Sequence, residues 1–317
     1  MTENMRTTLP LYDVNRKSVV PSQSHFVPGE LNQDQLKTMF GCLQVLKNED
    51  VQYEKKEVDS QQVQAVSTFQ MPQRTQINSI CPIDDTHAWM TVHESNELIK
   101  INKNGKVTEA VETDFKPWCL TVANTKELLI TRYEHSLITK LSKDRRLTTF
   151  ADISPLKALC ISVRDDVFVT TLTPTILVLT MSGERIREIS CGRDGLSIVC
   201  LITGLVAVTT GHSVVCCKEM IVINKSDQII HRWSGELDIG KKIEEATQCS
   251  ITCDRFDRLF VPDCFNDQVY VLSRYEGKAK CLLDKKHGVT NPWTICVDSC
   301  GHVWIGCRNG TVHVMQI

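Results

Sequence analysis

The residues best equipped for chemistry in this sequence are its 15 cysteines, and two sets stand close in the chain: Cys249-x3-Cys253 and Cys296-x3-Cys300-x6-Cys307. Zinc binding or thiol redox work would be their use. Structural zinc sites favour C-x2-C pairs, and the sequence holds none. Cys119, Cys160, Cys200, Cys253 and Cys296 each fall in a short apolar run, where a thiol serves as a compact hydrophobe. They are read as core, and no metal or cofactor is expected. Hydrolytic chemistry has no recognisable set either, since no G-x-S-x-G element is present. The remaining candidates are cations interleaved with rings: Lys116, Arg132, Tyr133, His135, Lys157, Lys241, Lys242, Phe265, Lys285, Lys286 and Arg308, with Trp118 and Trp293. Such a mixture suits a protein partner or stacked single-stranded RNA.

What must position these residues is a repeat. The last 27 residues, Asn291 to Ile317, read with period 2 as three strands around two turns, Asp298-Ser299-Cys300-Gly301 and Arg308-Asn309-Gly310. Asn-Gly between β-rich runs is a strong hairpin signal. Similar opening runs recur at Ser79–Cys81, Trp118–Val122, Leu159–Val163, Ile198–Leu201 and Cys249–Cys253. With Ile80, Leu120, Cys160, Cys200, Ile251 and Ile295 as anchors the spacings are 40, 40, 40, 51 and 44. Four strands per unit of that length, six times over, predict a six-bladed β-propeller of antiparallel blades, an all-β fold. The longer interval places a surface excursion at Ser234–Thr247. The last unit lacks a fourth strand, while Gln64–Gln70 stands alone ahead of the first. Pairing the two would close the ring. Residues 1–60 lack this pattern and read as a linker, with one short helix expected over 32–46, where Leu36, Met39, Phe40, Leu43 and Leu46 recur at helical spacing.

In this strand order, the loops joining strand 4 to strand 1 and strand 2 to strand 3 share one face of the disc. That face collects the cations named above and His287 together with Tyr133, Phe265, Glu94, Glu97, Asp114, Asp263 and Asp267. Trp118 and Trp293 open the innermost strands of blades 2 and 6 and are expected at the rim of the central opening, or packed between blades. A calcium-dependent hydrolase, a chemistry some six-bladed propellers perform, needs several oxygen ligands converging on the axis. The residues expected there, Asn78, Trp118, Leu159, Ser197, Ser250 and Trp293, include no carboxylate, so catalysis is disfavoured.

Taken together, Asn-Pro-Trp-x-Ile-x-Val-Asp, Gly-x-Val-Trp-Ile-Gly and Asn-Gly-x-Val-x-Val over 291–314 resemble the NHL-type propeller blade, as at the C-termini of invertebrate tripartite-motif proteins. Pro117–Val122 repeats the blade opening, and Phe26–Leu31 resembles the linker ahead of such propellers. The family's Asp-x-x-Asn-x-Arg turn survives only in part, as Asp263–Asp267 and Glu94–Glu97. With one cysteine and one histidine in the first 60 residues, Cys42 and His25, no RING or B-box zinc module fits there. The resemblance implies a substrate-selecting or scaffolding part connected with ubiquitin ligation, or, as in some NHL propellers, an RNA binder.

Composition agrees with a soluble domain: 42% apolar, 23% charged and a net charge of −2 give no bulk reason to bind nucleic acid or an acidic membrane. Met1–Arg6 leads into no apolar signal segment. The longest apolar run, Leu196–Thr209, is too short to span a bilayer and reads as two strands around a turn. Dispersed cysteines without a secretory leader imply reduced thiols and a cytoplasmic setting.

Overall fold

The computed structural model describes residues 63–317 apart from 214–215, 244–249 and 274–276. The 1–60 segment and its expected helix lie outside the described residues. Among the described residues, twenty-four strands form six four-stranded antiparallel sheets in a ring. Blade 1 is β2 (Ile77–Pro82), β3 (His87–Val92), β4 (Glu97–Asn102) and β5 (Val107–Glu112). Blade 2 is β6 (Pro117–Val122), β7 (Leu128–Arg132), β8 (Leu137–Leu141) and β9 (Leu147–Asp152). Blade 3 is β10 (Ala158–Val163), β11 (Val167–Thr171), β12 (Thr175–Leu179) and β13 (Arg185–Ser190). Blade 4 is β14 (Asp194–Cys200), β15 (Val206–Ser213), β16 (Cys216–Ile223) and β17 (Ile229–Trp233). Blade 5 is β18 (Thr252–Cys253), β19 (Leu259–Asp263), β20 (Gln268–Leu272) and β21 (Ala279–Leu283). Blade 6 takes β22 (Pro292–Val297), β23 (His302–Cys307) and β24 (Thr311–Gln316) from the end of the chain and β1 (Gln64–Gln70) from its start. The β1–β24 ladder, from Gln64↔Gln316 to Gln70↔Thr311, closes the ring as the two orphan strands predict.

The core is six layers, one between each pair of neighbouring blades. Trp304, Val312 and Val314 of blade 6 meet Ile77, Ile80 and Met90 of blade 1, and the same pattern recurs at every boundary. Strand alternation explains it: Val222 faces blade 5 while its neighbours Ile221 and Ile223 face blade 3. Inner strands are therefore apolar on both sides, and each fully buried Leu, Ile or Val adds roughly 1.5–3 kcal/mol. The outermost strands carry charge instead, as in Arg185-Ile186-Arg187-Glu188, which blunts the exposed edges.

The innermost strands reveal the register of the repeat. Ile80, Leu120, Ile161, Ile198, Ile251 and Ile295 occupy one position and pack on the preceding blade. The anchors Cys160 and Cys200 therefore lie one residue before and two residues after the equivalent positions, Ile161 and Ile198. Each of the five full-length inner strands carries a bulge ahead of that position, at Asn78, Trp118, Leu159, Leu196 and Trp293. A bulge frees backbone groups from the ladder, and small polar side chains facing the next blade use them. Ser79 Oγ accepts from Leu120 N (3.1 Å), Ser162 Oγ from Cys200 N (3.0 Å) and Ser250 Oγ from Ile295 N (3.3 Å). On the second strands, Thr91 Oγ1 donates to Trp118 O (2.8 Å) and Thr131 Oγ1 to Leu159 O (2.7 Å). Blades are thus stitched by hydroxyls as well as packed.

The described part of the excursion after blade 4 is anchored. Trp233 Nε1 donates to Glu236 O (2.7 Å), and Leu237 bridges to Ala279 on the outer strand of blade 5.

Candidate functional site

Strand order puts every cation and aromatic named from the sequence on the face formed by the 4–1 and 2–3 connections. The opposite face is tied off: Asn124 Nδ2 donates to Arg164 O (3.0 Å), and Asp257 accepts from the Ile202 and Thr203 amides (2.6 and 3.2 Å). The apolar and charged clefts between blades 3 and 4 (about 220 Å³, lined by Arg164 and Arg187) and between blades 4 and 5 (about 270 Å³, lined by Met220 and Ile230) open between other elements than the candidate loops.

Blade 2 builds the most developed group on the candidate face. Its 2–3 turn is tight, closed by His135 N to Arg132 O (3.2 Å), with Glu134 in the left-handed region (φ 57°). This turn lifts Tyr133 into solvent at 41% exposure. The bulge at Trp118 aims the indole at the same spot, and the two rings stand 4.6 Å apart, tilted by 42°. Beside them the Arg132 guanidinium lies 3.7 Å from the centre of the Phe115 ring and donates to Thr139 Oγ1 (2.9 Å). Burial lowers the Arg132 pKa from its ordinary value, opposed by Asp114. A guanidinium remains charged under such a shift. Phe115, which completes the ledge, is absent from the candidates read in the sequence; its place in the run Phe115-Lys116-Pro117-Trp118, just ahead of a blade opening, is the signal that marks it.

Blades 5 and 6 carry a second station. Asp263 Oδ1 accepts from Phe265 N (3.1 Å) and Asp263 Oδ2 from Asn266 Nδ2 (2.7 Å), so the partial Asp-x-x-Asn element is a turn staple. It presents Phe265 at 57% exposure. Asp267 bonds Asn291 N (2.6 Å) at the opening of blade 6 and pairs with Lys285 (2.9 Å). Although burial opposes it, these two contacts hold the Asp267 carboxyl below its ordinary value. Lys285, Lys286 and His287 form a 3-10 turn capped by Asp284. Arg308 lies over Trp293, 5.1 Å from its ring centre. Trp293 is consequently buried, whereas Trp118 stays half-exposed.

Several of the remaining cations are spoken for. Lys116 pairs with Glu94, whose carboxyl this contact holds below its usual range. Lys242 stands 3.4 Å from Glu236; against the cost of burial, Ser234 and Lys242 bring that carboxyl down to about 2. His135 Nδ1 accepts from Leu137 N (3.1 Å). Lys157 and Lys241 are exposed with no carboxylate partner among the described residues, while the charge of the exposed Lys286 acts on Asp284. Also among the described residues, no group of three or more His, Cys, Asp or Glu is placed to hold a metal, and no helix is long and apolar enough to cross a membrane.

No family model matches the chain, and no curated protein matches it. Solved structures do. A catalytically inactive virginiamycin B lyase from Staphylococcus aureus, with Quinupristin, is 15% identical over 81% of this chain and 99% of its own, with a TM-score of 0.61. The WD40 β-propeller domain of Doa1 is 10% identical over 80% and 96%, with a TM-score of 0.56. A structural-genomics protein of unknown function from Bacteroides thetaiotaomicron is 11% identical over 80% and 76%, with a TM-score of 0.60. At such identities the likeness is one of fold, and function has to come from the site.

Proposed function

We propose that this propeller is a non-catalytic recognition module that holds a protein partner on the 4–1/2–3 face, anchored by Trp118, Tyr133, Arg132 and Phe115. The ledge itself carries the reading. Aromatic and arginine side chains dominate protein interfaces, and here each is held in place before binding, which reduces the entropy lost on association. The cations around it are largely paired with carboxylates, so a phosphate backbone would have to displace Glu94, Glu236 and Asp267 to use Lys116, Lys242 and Lys285. The resemblance of 291–314 to the NHL blade supports a finer version: a substrate-selecting or scaffolding part working with tripartite-motif-type ubiquitin ligation.

RNA binding on the same face is the second reading, favoured by Lys157 and Lys241, which have no carboxylate partner among the described residues, and by the arginine over Trp293. One experiment separates the two. The full chain is titrated with random single-stranded RNA at about 50 and about 200 mM salt, a range over which phosphate contacts lose orders of magnitude in affinity. The protein reading expects no binding at either salt, and expects Tyr133→Ala to weaken a partner captured from extract by roughly 30-fold, the size of a hot-spot loss. Salt-sensitive RNA binding that disappears in Lys241→Glu/Lys242→Glu or Arg132→Glu overturns it.

A further inference from the structure

The layer between blades 4 and 5 is filled at one end and open at the other. On β16 and β17, Met220 stands opposite Trp233 and Val222 opposite His231, so these four side chains share the side that faces blade 5. At the first pair the layer is filled, with the Trp233 ring 6.4 Å from that of Tyr270 in blade 5. At the second pair an imidazole stands where the first carries an indole, and a cavity of about 270 Å³ remains. Its walls are Leu201, Leu259, Leu272, Met220 and Val222, none more than 6% exposed. Its mouth is Ile230, His231 and Ser273. The register shift between Val222 and Ile223 makes Ile230 the extra residue of β17, and 53% of its surface is exposed. His231 and Ser273 are half-buried, and neither side chain has a hydrogen-bond partner among the described residues.

We propose that this cavity is a binding site for a small amphipathic molecule: an apolar body the size of a substituted benzene ring, with one hydroxyl that hydrogen-bonds His231 and Ser273 at the mouth. Protein interiors hold few voids larger than a water molecule, and an apolar cavity of about 150 Å³ already takes up benzene. The space here therefore has room for a ring and its substituents. The walls offer side chains with nothing to donate or accept, so a peptide backbone or a sugar would lose its hydrogen bonds against them. The polar end of the ligand belongs at the mouth. Imidazole and hydroxyl each donate and accept, and a neutral hydroxyl satisfies both. No lysine or arginine lines the cavity among the described residues, which leaves a carboxylate head without a fixed cation. The site lies apart from the 4–1 and 2–3 loops and stands independently of the recognition reading.

The test labels the methionine methyl groups of the full chain for NMR and titrates it with p-cresol and with toluene, probes that differ by the hydroxyl. Met220 lines the cavity, while Met71 and Met90 lie at the boundary of blades 6 and 1 and serve as controls. The Met220 signal is expected to move saturably with both probes while Met71 and Met90 stay in place, with a Kd for p-cresol of about 2 mM or below, within reach of a ligand this small. His231→Ala/Ser273→Ala should weaken p-cresol roughly 3–10-fold, the worth of a hydrogen bond, and leave toluene unchanged. Val222→Phe fills the cavity and abolishes the shift with either probe. Ile230→Trp, at an exposed position that leaves the walls intact, closes the mouth and does the same. An unmoved Met220 signal at about 10 mM of each probe, equal shifts at Met71 and Met90, equal weakening of both probes in the double variant, or undiminished binding in Val222→Phe and Ile230→Trp each overturns the proposal.

Discussion

Replacing Thr131 with valine tests whether hydroxyl stitches hold the blades or merely decorate packed boundaries. Thr131 is fully buried on β7. Its hydroxyl donates to Leu159 O in blade 3 (2.7 Å) and accepts from Cys119 N, freed by the bulge of its own blade (3.2 Å). Valine has nearly the same shape, so the packing change is small and the loss is polar: one carbonyl and one amide are left buried without their partner. At about 1–3 kcal/mol for each unsatisfied group, partly relieved by small backbone shifts, the expected destabilisation is about 2–4 kcal/mol. For a domain of this size that is a fall of about 5–15 °C in Tm. Thr209 supplies the control. It occupies the same position in blade 4, is equally buried, and its hydroxyl has no hydrogen-bond partner among the described residues. Thr209→Val should therefore change stability by less than about 0.5 kcal/mol, or raise it, because an unpartnered buried hydroxyl is removed. Urea unfolding with an unchanged m-value, checked by calorimetry, measures both. Equal effects for the two variants would show that the hydroxyls contribute nothing beyond shape, and the stitching account would be wrong.

Four further outcomes rest on the closing strand and the packed boundaries. His313 is buried, its Nε2 has no hydrogen-bond partner among the described residues and its Nδ1 lies 3.0 Å from Thr68 Oγ1 on the closing strand, and burial lowers its pKa from the ordinary value. Its neutral form is the one the fold favours, so its stabilising contribution is complete above the unfolded imidazole range near about pH 6.5 and is lost as pH falls below it; His313→Leu should flatten the decline in stability measured between pH 7 and 5. Met71, 1% exposed at the end of the closing strand, should cost about 2–5 kcal/mol as Met71→Ala. Deleting 61–72 should lower Tm further than that, and an unchanged Tm would deny that β1 closes the ring. At Gly306 an added Cβ would stand 2.7 Å from Ile77 Cβ of blade 1 and from Thr294 Cγ2, so Gly306→Ala should destabilise by about 1–3 kcal/mol in the same urea assay.

The blade is legible in the sequence because its alternation, its Asn-Gly and Asp-rich turns and its roughly 40-residue period all point to the same unit, and an orphan strand at each end leaves one way to close it. The shared face is legible too, since strand order alone decides which loops lie together. Phase within the innermost strands is not. A bulge adds one residue without any compositional mark, and a shift of one residue exchanges the two sides of a strand. Unequal connections around blades 3 and 4 move the position off the 40-residue interval, so Cys160 and Cys200 serve as plausible anchors in the sequence yet lie off the true position.

What covers the two blade-opening tryptophans, which the sequence treats alike, differs between the blades. Each stands at the bulge of its inner strand, and each meets the third residue past the equivalent position on strand 2, counted from Ile130 in blade 2 and Ile305 in blade 6. In blade 2 that residue is Tyr133, which stacks beside Trp118 and leaves an open aromatic surface. In blade 6 it is Arg308, whose guanidinium lies over Trp293. A ring and a cation cover an indole with similar energy, but they leave different surfaces to a partner: an exposed apolar ledge in one blade, a positive charge over a buried ring in the other. Two blades with one opening motif therefore offer different chemistry on the same face, and the choice rests on a pairing of residues 15 apart that no local pattern records.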